Sequence, residues 1–246
     1  MSHHDSPGRY SRQLPLWGIE GQERLSRATV LVAGAGGLGS ASSFYLAAAG
    51  VGCLRIADSD TVEVSNLNRQ ILHRQVGSLK VESARDTLQA LNPELRVEAF
   101  PSAIDSDSVS GLVRGADVIV DALDNFETRY LLNSASLRSG VPLMHGAISG
   151  FDGQATTLVP GRTPCLRCLF PRSPPPVRPP ALGATCGVIG SIQAGEVLKY
   201  LTGKGELLEG RLLLWDGLFG RMDEVTCDRS PVCPDCATAD CRKPLL

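Results

Sequence analysis

Gly34-x-Gly36-x-x-Gly39 is the first cluster in the chain whose residue types point to chemistry. Glycines at this spacing let a backbone turn tightly and approach a phosphate. A helix that begins there presents free N–H groups and positive partial charge. Asp58 follows at the distance at which an acid accepts hydrogen bonds from ribose hydroxyls. Arg69 and Lys80 then bring two cations towards the same strand ends. A hydride-transfer dinucleotide needs no cations beyond its pyrophosphate. A triphosphate that sheds pyrophosphate needs them against its developing charge. Asp124, just beyond the apolar segment 118–121, is an acid placed to hold Mg²⁺, which favours carboxylate, water and phosphate oxygens. Taken singly, each charged residue reads as a solvated surface group. With the glycine loop they read as a nucleotide site.

Four of the eight cysteines form two C-x-x-C pairs, Cys165 with Cys168 and Cys233 with Cys236. Each tight turn projects two thiolates, and together they suit a tetrahedral four-sulfur zinc site. The long interval between the pairs makes this a clip across the second half. A full thiolate set leaves no open position for water, so the zinc is expected to be structural. The rival is a pair of redox disulfides, which a reducing cytosol disfavours. Cys186 has two readings. Thr185 caps a helix starting there, which would make Cys186 a low-pKa nucleophile. Alternatively, Cys186 packs as a small buried helix residue, the reading favoured here. Cys53 reads as core. Cys227 and Cys241 lie near the second pair, and the four-residue spacing of Cys241 from Cys236 fits a ligand less well. His3 and His4 fall in a polar tail.

The elements that must position these residues follow from periodicity and breakers. A short apolar strand at 30–32 runs into the glycine loop, a helix over 38–49, and a second strand at 54–58. This unit predicts a parallel sheet. A helix over 78–91 stops before Asn92-Pro93. A strand at 97–100, a helix at 105–114, a strand at 118–121, a helix at 126–139 and a strand at 142–145 continue the alternation. Beyond Gly150 the pattern becomes β-rich, with strands at 155–159 and 212–215. A helix over 186–201 is stopped by Gly203. Between them, Pro174, Pro175, Pro176, Pro179 and Pro180 make 172–182 an extended loop. The expected fold class is α/β: a Rossmann-like sheet with a glycine-rich nucleotide loop, then a β-rich, zinc-stapled second half. The organisation is a helical arm over 1–29 suited to dimer contact, a nucleotide-binding core over 30–150, and a β-rich segment over 151–246 carrying the crossover loop and the four cysteines, all in one integrated domain.

Bulk composition narrows the class. Lys and Arg total 24 against 26 Asp and Glu, a net charge of −2, which argues against broad nucleic-acid or membrane binding. Aromatic residues are scarce at 5%, so no base-stacking surface is offered. No apolar run reaches the ~18 residues that a membrane helix needs, and the first ten residues lack an apolar signal core. The expectation is a cytoplasmic protein.

The ordered motifs Arg12-Gln13, the glycine loop, Asp58-x-Asp60, Ser65-Asn-Leu-Asn-Arg69-Gln70, Lys80-Val-Glu-Ser-Ala84, Asp124-Asn125, the two cysteine pairs and Gly187-Val-Ile-Gly-Ser-Ile-Gln193-Ala194 resemble the ThiF/MoeB/HesA adenylyltransferases. These are bacterial and archaeal relatives of ubiquitin-activating enzymes. The match runs from Tyr10 to Cys236, and its Ser-Asn-Leu-x-Arg-Gln block is far more specific than the glycine motif. The resemblance implies that Gly34, Gly36, Gly37 and Gly39 cradle phosphate and that Asp58 holds the ribose. It implies that Asn66, Arg69 and Lys80 hold the polyphosphate of ATP, with Asp60, Ser65, Leu67, Asn68 and Asn125 in the same site. Asp124 would hold Mg²⁺ near the attacked phosphate. Arg12 corresponds to an arginine that reaches into the partner subunit's site, which implies a homodimer. The implied reaction is attack of the Gly-Gly carboxylate of a ubiquitin-like sulfur carrier or modifier on the α-phosphate of ATP. Many relatives carry a thioester- or persulfide-forming cysteine in the loop after the first cysteine pair. Here that loop has none before Cys186, which leaves Cys186 as the candidate downstream nucleophile.

Three other readings share parts of this pattern. An NAD-dependent oxidoreductase accounts for the glycine loop and Asp58 but not for Arg69, Lys80 or the cysteine pairs. A non-catalytic partner of a ubiquitin-like protein would not need every charged position. Adenylation of another peptide C-terminus fits the motifs as well, because they contact ATP rather than the acyl chain.

Overall fold

The computed structural model describes residues 8–173 and 179–237. The predicted tail histidines, Pro174 to Pro176 and Cys241 lie outside the described residues. The first helix, α1 (Leu14–Arg27), carries Pro15 in its first turn and is broken at Gly18, whose φ is +71°. Then come β1 (Thr29–Ala33), α2 (Gly37–Ala49), β2 (Cys53–Ala57), α3 (Lys80–Leu91), β3 (Arg96–Phe100), α4 (Val109–Val113), β4 (Val118–Asp121), α5 (Phe126–Ser139) and β5 (Leu143–Ser149). The second half adds β6 (Asp152–Leu158), α6 (Leu166–Leu169), α7 (Gly183–Thr202), β7 (Arg211–Asp216) and β8 (Arg221–Thr226).

All eight strands join one sheet in the order β3-β2-β1-β4-β5-β6-β7-β8. The five strands from β3 to β5 are parallel, and β6, β7 and β8 extend the sheet antiparallel. A parallel sheet needs both faces covered, and the strand sequences supply apolar side chains on both. Val30 and Val32 of β1 and Val118 and Val120 of β4 pack with Leu46, Leu88 and Val197 on one face. Leu31, Ala33 and Ile119 pack with Leu132, Leu112 and Leu166 on the other. Helices α2 and α7 meet closely because Gly190 has no side chain; a Cβ there would lie 2.7 Å from that of Ala41.

The chain order places a reversal between β1 and β4. From β1 the connections run outward to β2 and β3, then cross to β4 on the opposite side. The register aligns Ala33 with Ala57 on one side and with Asp121 on the other, and Asp121 with His145. The carboxyl ends of four parallel strands therefore form one row, with a crevice at the switch point, the place where such sheets bind ligands.

Several predicted boundaries shift for physical reasons. The helix predicted at 105–114 contracts to α4 because Asp105 turns the chain first: its Oδ1 accepts from the amides of Asp107 and Ser108. Helix α7 begins at Gly183, a turn before the predicted start. Thr185 is therefore inside the helix rather than capping it, and its hydroxyl donates to Gly150 O at 2.9 Å. The sequence pattern does not predict β8; every residue in it is exposed, and only its pairing with β7 makes it a strand.

Candidate functional site

The glycine loop sits at the switch point. Gly34 has φ +97°, and its amide donates to Ala57 O at 2.9 Å. A Cβ at Gly34 would lie 2.7 Å from Ala122 O, so the loop is pressed against the end of β4. A side chain at Gly39 would collide with Gly34 O. Gly36 is the N-cap of α2 and supplies no side-chain cap. The first amides of this 13-residue helix thus stay available at the carboxyl end of β1, with the positive end of its dipole.

The loop is pinned from two sides. Asp58 Oδ2 accepts from Ala35 N at 2.8 Å, and Oδ1 accepts from Asp60 N at 2.9 Å. Each carboxylate oxygen keeps a further lone pair for a ligand hydroxyl. The carbonyl of the same Ala35 accepts from His73 Nε2 at 2.8 Å. Burial holds the His73 pKa below its ordinary value, so the ring is neutral and this bond assigns the proton to Nε2. His73 was missed in the sequence because nothing local marks it as a support of a loop 38 residues away.

The cations arrive as follows. Lys80, only 6% exposed, opens α3 and pairs with Asp60 at 2.7 Å. Arg69 Nη1 donates to Ser65 O and to Asn68 Oδ1, at 2.8 and 2.9 Å. Its Cγ lies 3.6 Å from where a Gly37 Cβ would be, so its stem lines the loop. Buried Asn66 accepts from Glu63 N at 3.0 Å and closes a short 3₁₀ turn, while Leu67 is exposed. Ser65 donates to Glu63. Asn68 O lies 2.6 Å from where a Gly183 Cβ would be, so this segment rests on the start of α7.

Asp124 stands on the loop after β4, exposed, with Asn125 Nδ2 at 3.5 Å. Asn125 is the N-cap of α5, its Oδ1 accepting from Thr128 N at 2.9 Å. An exposed carboxylate on this loop suits a hydrated, phosphate-bound divalent cation. Beneath it is a buried polar group that the sequence did not announce. Asp121 and His145 are fully buried, with His145 Nδ1 donating to Asp121 Oδ2 at 2.7 Å. Burial raises the Asp121 pKa, but the Arg129 charge and the His145 bond outweigh it and hold the carboxyl below its usual range. Burial keeps His145 neutral. Gln193 Nε2 donates to Asp121 O and Met144 O, at 2.8 and 2.9 Å, and ties the ends of β4 and β5 together.

Arg12 is not brought to this site within the chain. It is exposed on the N-terminal arm. The neighbouring Gln13 donates to Ala49 O at 2.7 Å, at the far end of α2 from the glycine loop, about 20 Å along that helix.

Cys186 is buried in the first turn of α7, its amide donating to Leu182 O at 3.0 Å. Burial pushes its thiol pKa up, against the opposing charge of Arg69. Cys186 thus sits as the small buried helix residue favoured from the sequence, and the low-pKa alternative does not match this setting.

The two cysteine pairs converge. Cys165 Sγ lies 3.5 Å from that of Cys233 and 3.9 Å from that of Cys168, and Cys168 lies 3.4 Å from Cys236. All four sulfurs fall within 4.8 Å of one another. Zn–S bonds of about 2.3 Å in a tetrahedron require S–S edges of ~3.8 Å, so the donor set fits that ion. α5 holds the site from below: Asn133 donates to Asp235 and accepts from Leu166 N.

A model of the ThiF family matches residues 10–235. The SAMP-activating enzyme E1 of Haloferax volcanii is 48% identical over 238 residues, covering 93% of this chain and 88% of that one. The sulfur carrier protein adenylyltransferase of Thermus thermophilus is 47% identical over 253 residues, covering 97% and 93%. Among solved structures, E. coli MccB with ATP superposes with a TM-score of 0.85 at 26% identity, over 95% of this chain and 75% of that one.

Proposed function

The chain belongs to the ThiF family, and from that premise we propose that it uses ATP to adenylate the C-terminal glycine of a small ubiquitin-like sulfur carrier or modifier. The observation that carries this reading is the convergence, at one switch point, of an uncapped glycine loop, Asp58, the cations of Arg69 and Lys80, and the exposed carboxylate of Asp124. The Thermus relative, a sulfur carrier protein adenylyltransferase, supports a carrier protein as the acyl partner.

In this reading the loop amides at the start of α2 receive phosphate oxygens, and Asp58 receives the ribose. The terminal carboxylate attacks the α-phosphorus; an O–P bond forms, the α–β bridging P–O bond breaks, and pyrophosphate leaves. The carboxylate is already ionised at neutral pH, so no general base is needed. Catalysis consists of positioning and of neutralising charge on the leaving group by Arg69 and Lys80. Asp124 would hold Mg²⁺, which supplies further neutralisation at the phosphates. Cys165, Cys168, Cys233 and Cys236 would hold a structural Zn²⁺. Arg12, far from its own chain's loop, serves the site of a second copy in a homodimer. The exposed Leu218, Phe219, Met222 and Val225 around β8 offer apolar area to a protein partner.

The test is mass spectrometry of a ubiquitin-like protein ending in Gly-Gly after incubation with the enzyme and ATP. AMP on the terminal glycine is expected. Tight NAD binding with no nucleotidyl transfer would favour an oxidoreductase instead.

A further inference from the structure

Asp124 has few contacts of its own, yet the peptide groups beside it are held tightly. Leu123 N donates to Asp121 Oδ1 at 3.1 Å, and Leu123 O accepts from Arg129 Nη2 at 2.6 Å. Arg129 is 5% exposed, its Nε stands 3.6 Å from Asp121 Oδ2, and Nη2 also reaches Gly146 O at 3.3 Å. His145 occupies the second oxygen of Asp121, and Gln154 Nε2 stands 3.3 Å from His145 Nε2, on the neighbouring β6. On the other side, the Asn125 cap fixes the start of α5. Asp124 therefore leaves the sheet between two anchored residues while its own carboxylate stays exposed, with Asn125 Nδ2 at 3.5 Å.

We propose that Arg129 is a positioning residue for Asp124: with Asp121 it clamps both peptide groups of Leu123 and so sets the direction of the neighbouring carboxylate. Ion pairing alone does not account for this arrangement. A buried ion pair loses much of its Coulomb attraction to desolvation, and an apolar pair of similar volume serves as well or better. What an apolar pair cannot supply is a donor to Leu123 O and an acceptor for Leu123 N, the two groups that fix the approach to Asp124. Support of this kind around a metal-holding carboxylate is worth on the order of 10- to 100-fold in metal affinity. The proposal rests on the reading of Asp124 as the Mg²⁺-holding residue.

Two measurements test it. In wild-type protein free of nucleotide and metal, amide exchange followed by NMR should show Leu123 N–H as protected as the amides of β4. Exchange at the rate of an open loop would overturn the clamp. In Arg129→Lys the charge remains, but a compact ammonium cannot reach Asp121, Leu123 O and Gly146 O together. With a non-hydrolysable ATP analogue at saturation, the Mn²⁺ dissociation constant read by electron paramagnetic resonance should rise on the order of 10-fold, with glycine-loop amides unshifted. A folded Arg129→Lys protein that binds Mn²⁺ as wild type does would overturn the proposal. If that variant does not fold, the wild-type exchange measurement decides. Asp124→Asn separates the two failures. Normal Mn²⁺ binding there overturns the reading of Asp124 itself, whereas lost binding there with normal binding in Arg129→Lys overturns only the clamp.

Discussion

Cys186 Sγ lies directly against Gly37, so that a Cβ added to that glycine would stand 2.5 Å from the sulfur. The thiol is thus part of the floor beneath the glycine loop, with 2% exposure for the whole residue. Attack of a carboxylate on phosphorus uses no thiol. Cys186→Ala should therefore keep pyrophosphate exchange, and wild-type enzyme with ATP and its protein partner should form no reductant-sensitive adduct. An adduct that disappears in Cys186→Ala would show that the loop opens to release this thiol. Loss of exchange in a folded Cys186→Ala protein would contradict this prediction and give Cys186 a part in the adenylation step.

Asp124 and Arg12 should complement each other across a dimer. Asp124→Ala should lose on the order of 2–4 kcal/mol of transition-state stabilisation, as for removal of one key electrostatic group. Arg12→Ala should also be impaired, although Arg12 lies about a helix length from its own chain's loop. Mixing the two inactive proteins should restore part of the activity through hybrid dimers. A fully active monomer by light scattering excludes the composite site, and near-normal exchange by Asp124→Ala removes that residue from the mechanism.

The cysteine cluster predicts one zinc per chain. Metal contributes to folding where its ligands converge, and here they tie the turn at Cys165 to the segment after β8. Cys236→Ser should lower the melting temperature and make 160–237 sensitive to protease while sparing amides of the glycine loop. Freshly purified, reduced protein without stoichiometric zinc by plasma mass spectrometry would contradict the assignment.

Stability should fall on mild acidification. His73 and His145 are held neutral below their ordinary value of 6.5, in both cases chiefly by burial. The unfolded chain therefore binds more protons than the native one below that value, so unfolding becomes easier as pH falls from 6.5 towards the native pKa values. The lowered Asp121 carboxyl adds to the loss at still lower pH. Urea midpoints should be flat above about pH 7 and decline between about pH 6.5 and 5. A midpoint unchanged over that window would show that neither ring is neutral and buried in solution.

Much of this site is legible in the sequence because its signals are local. The helix read over 126–139 coincides with α5, whose start is set by Asn125 and whose end is Gly140 in the left-handed region at φ +74°. The apolar segment 118–121 coincides with β4. Illegible features depend on packing between distant segments. Helix α7 starts at Gly183 rather than at 186, and the lack of a side chain there lets it pack against Asn68 O. Asp121, Arg129 and His145 look like an ordinary acid, base and ring until β4, α5 and β5 bring them together. His73 gains its role only when the loop at Ala35 folds back onto it.

The most direct measurement of the central claim is exchange of labelled pyrophosphate into ATP. It should be run with a ubiquitin-like partner ending in Gly-Gly and with the same partner lacking its last glycine. Exchange that requires Mg²⁺ and the intact C-terminus is the predicted result. Exchange that ignores the terminal glycine, or none with any ubiquitin-like protein of the source organism, would contradict the assignment of this chain as the activating enzyme of such a protein.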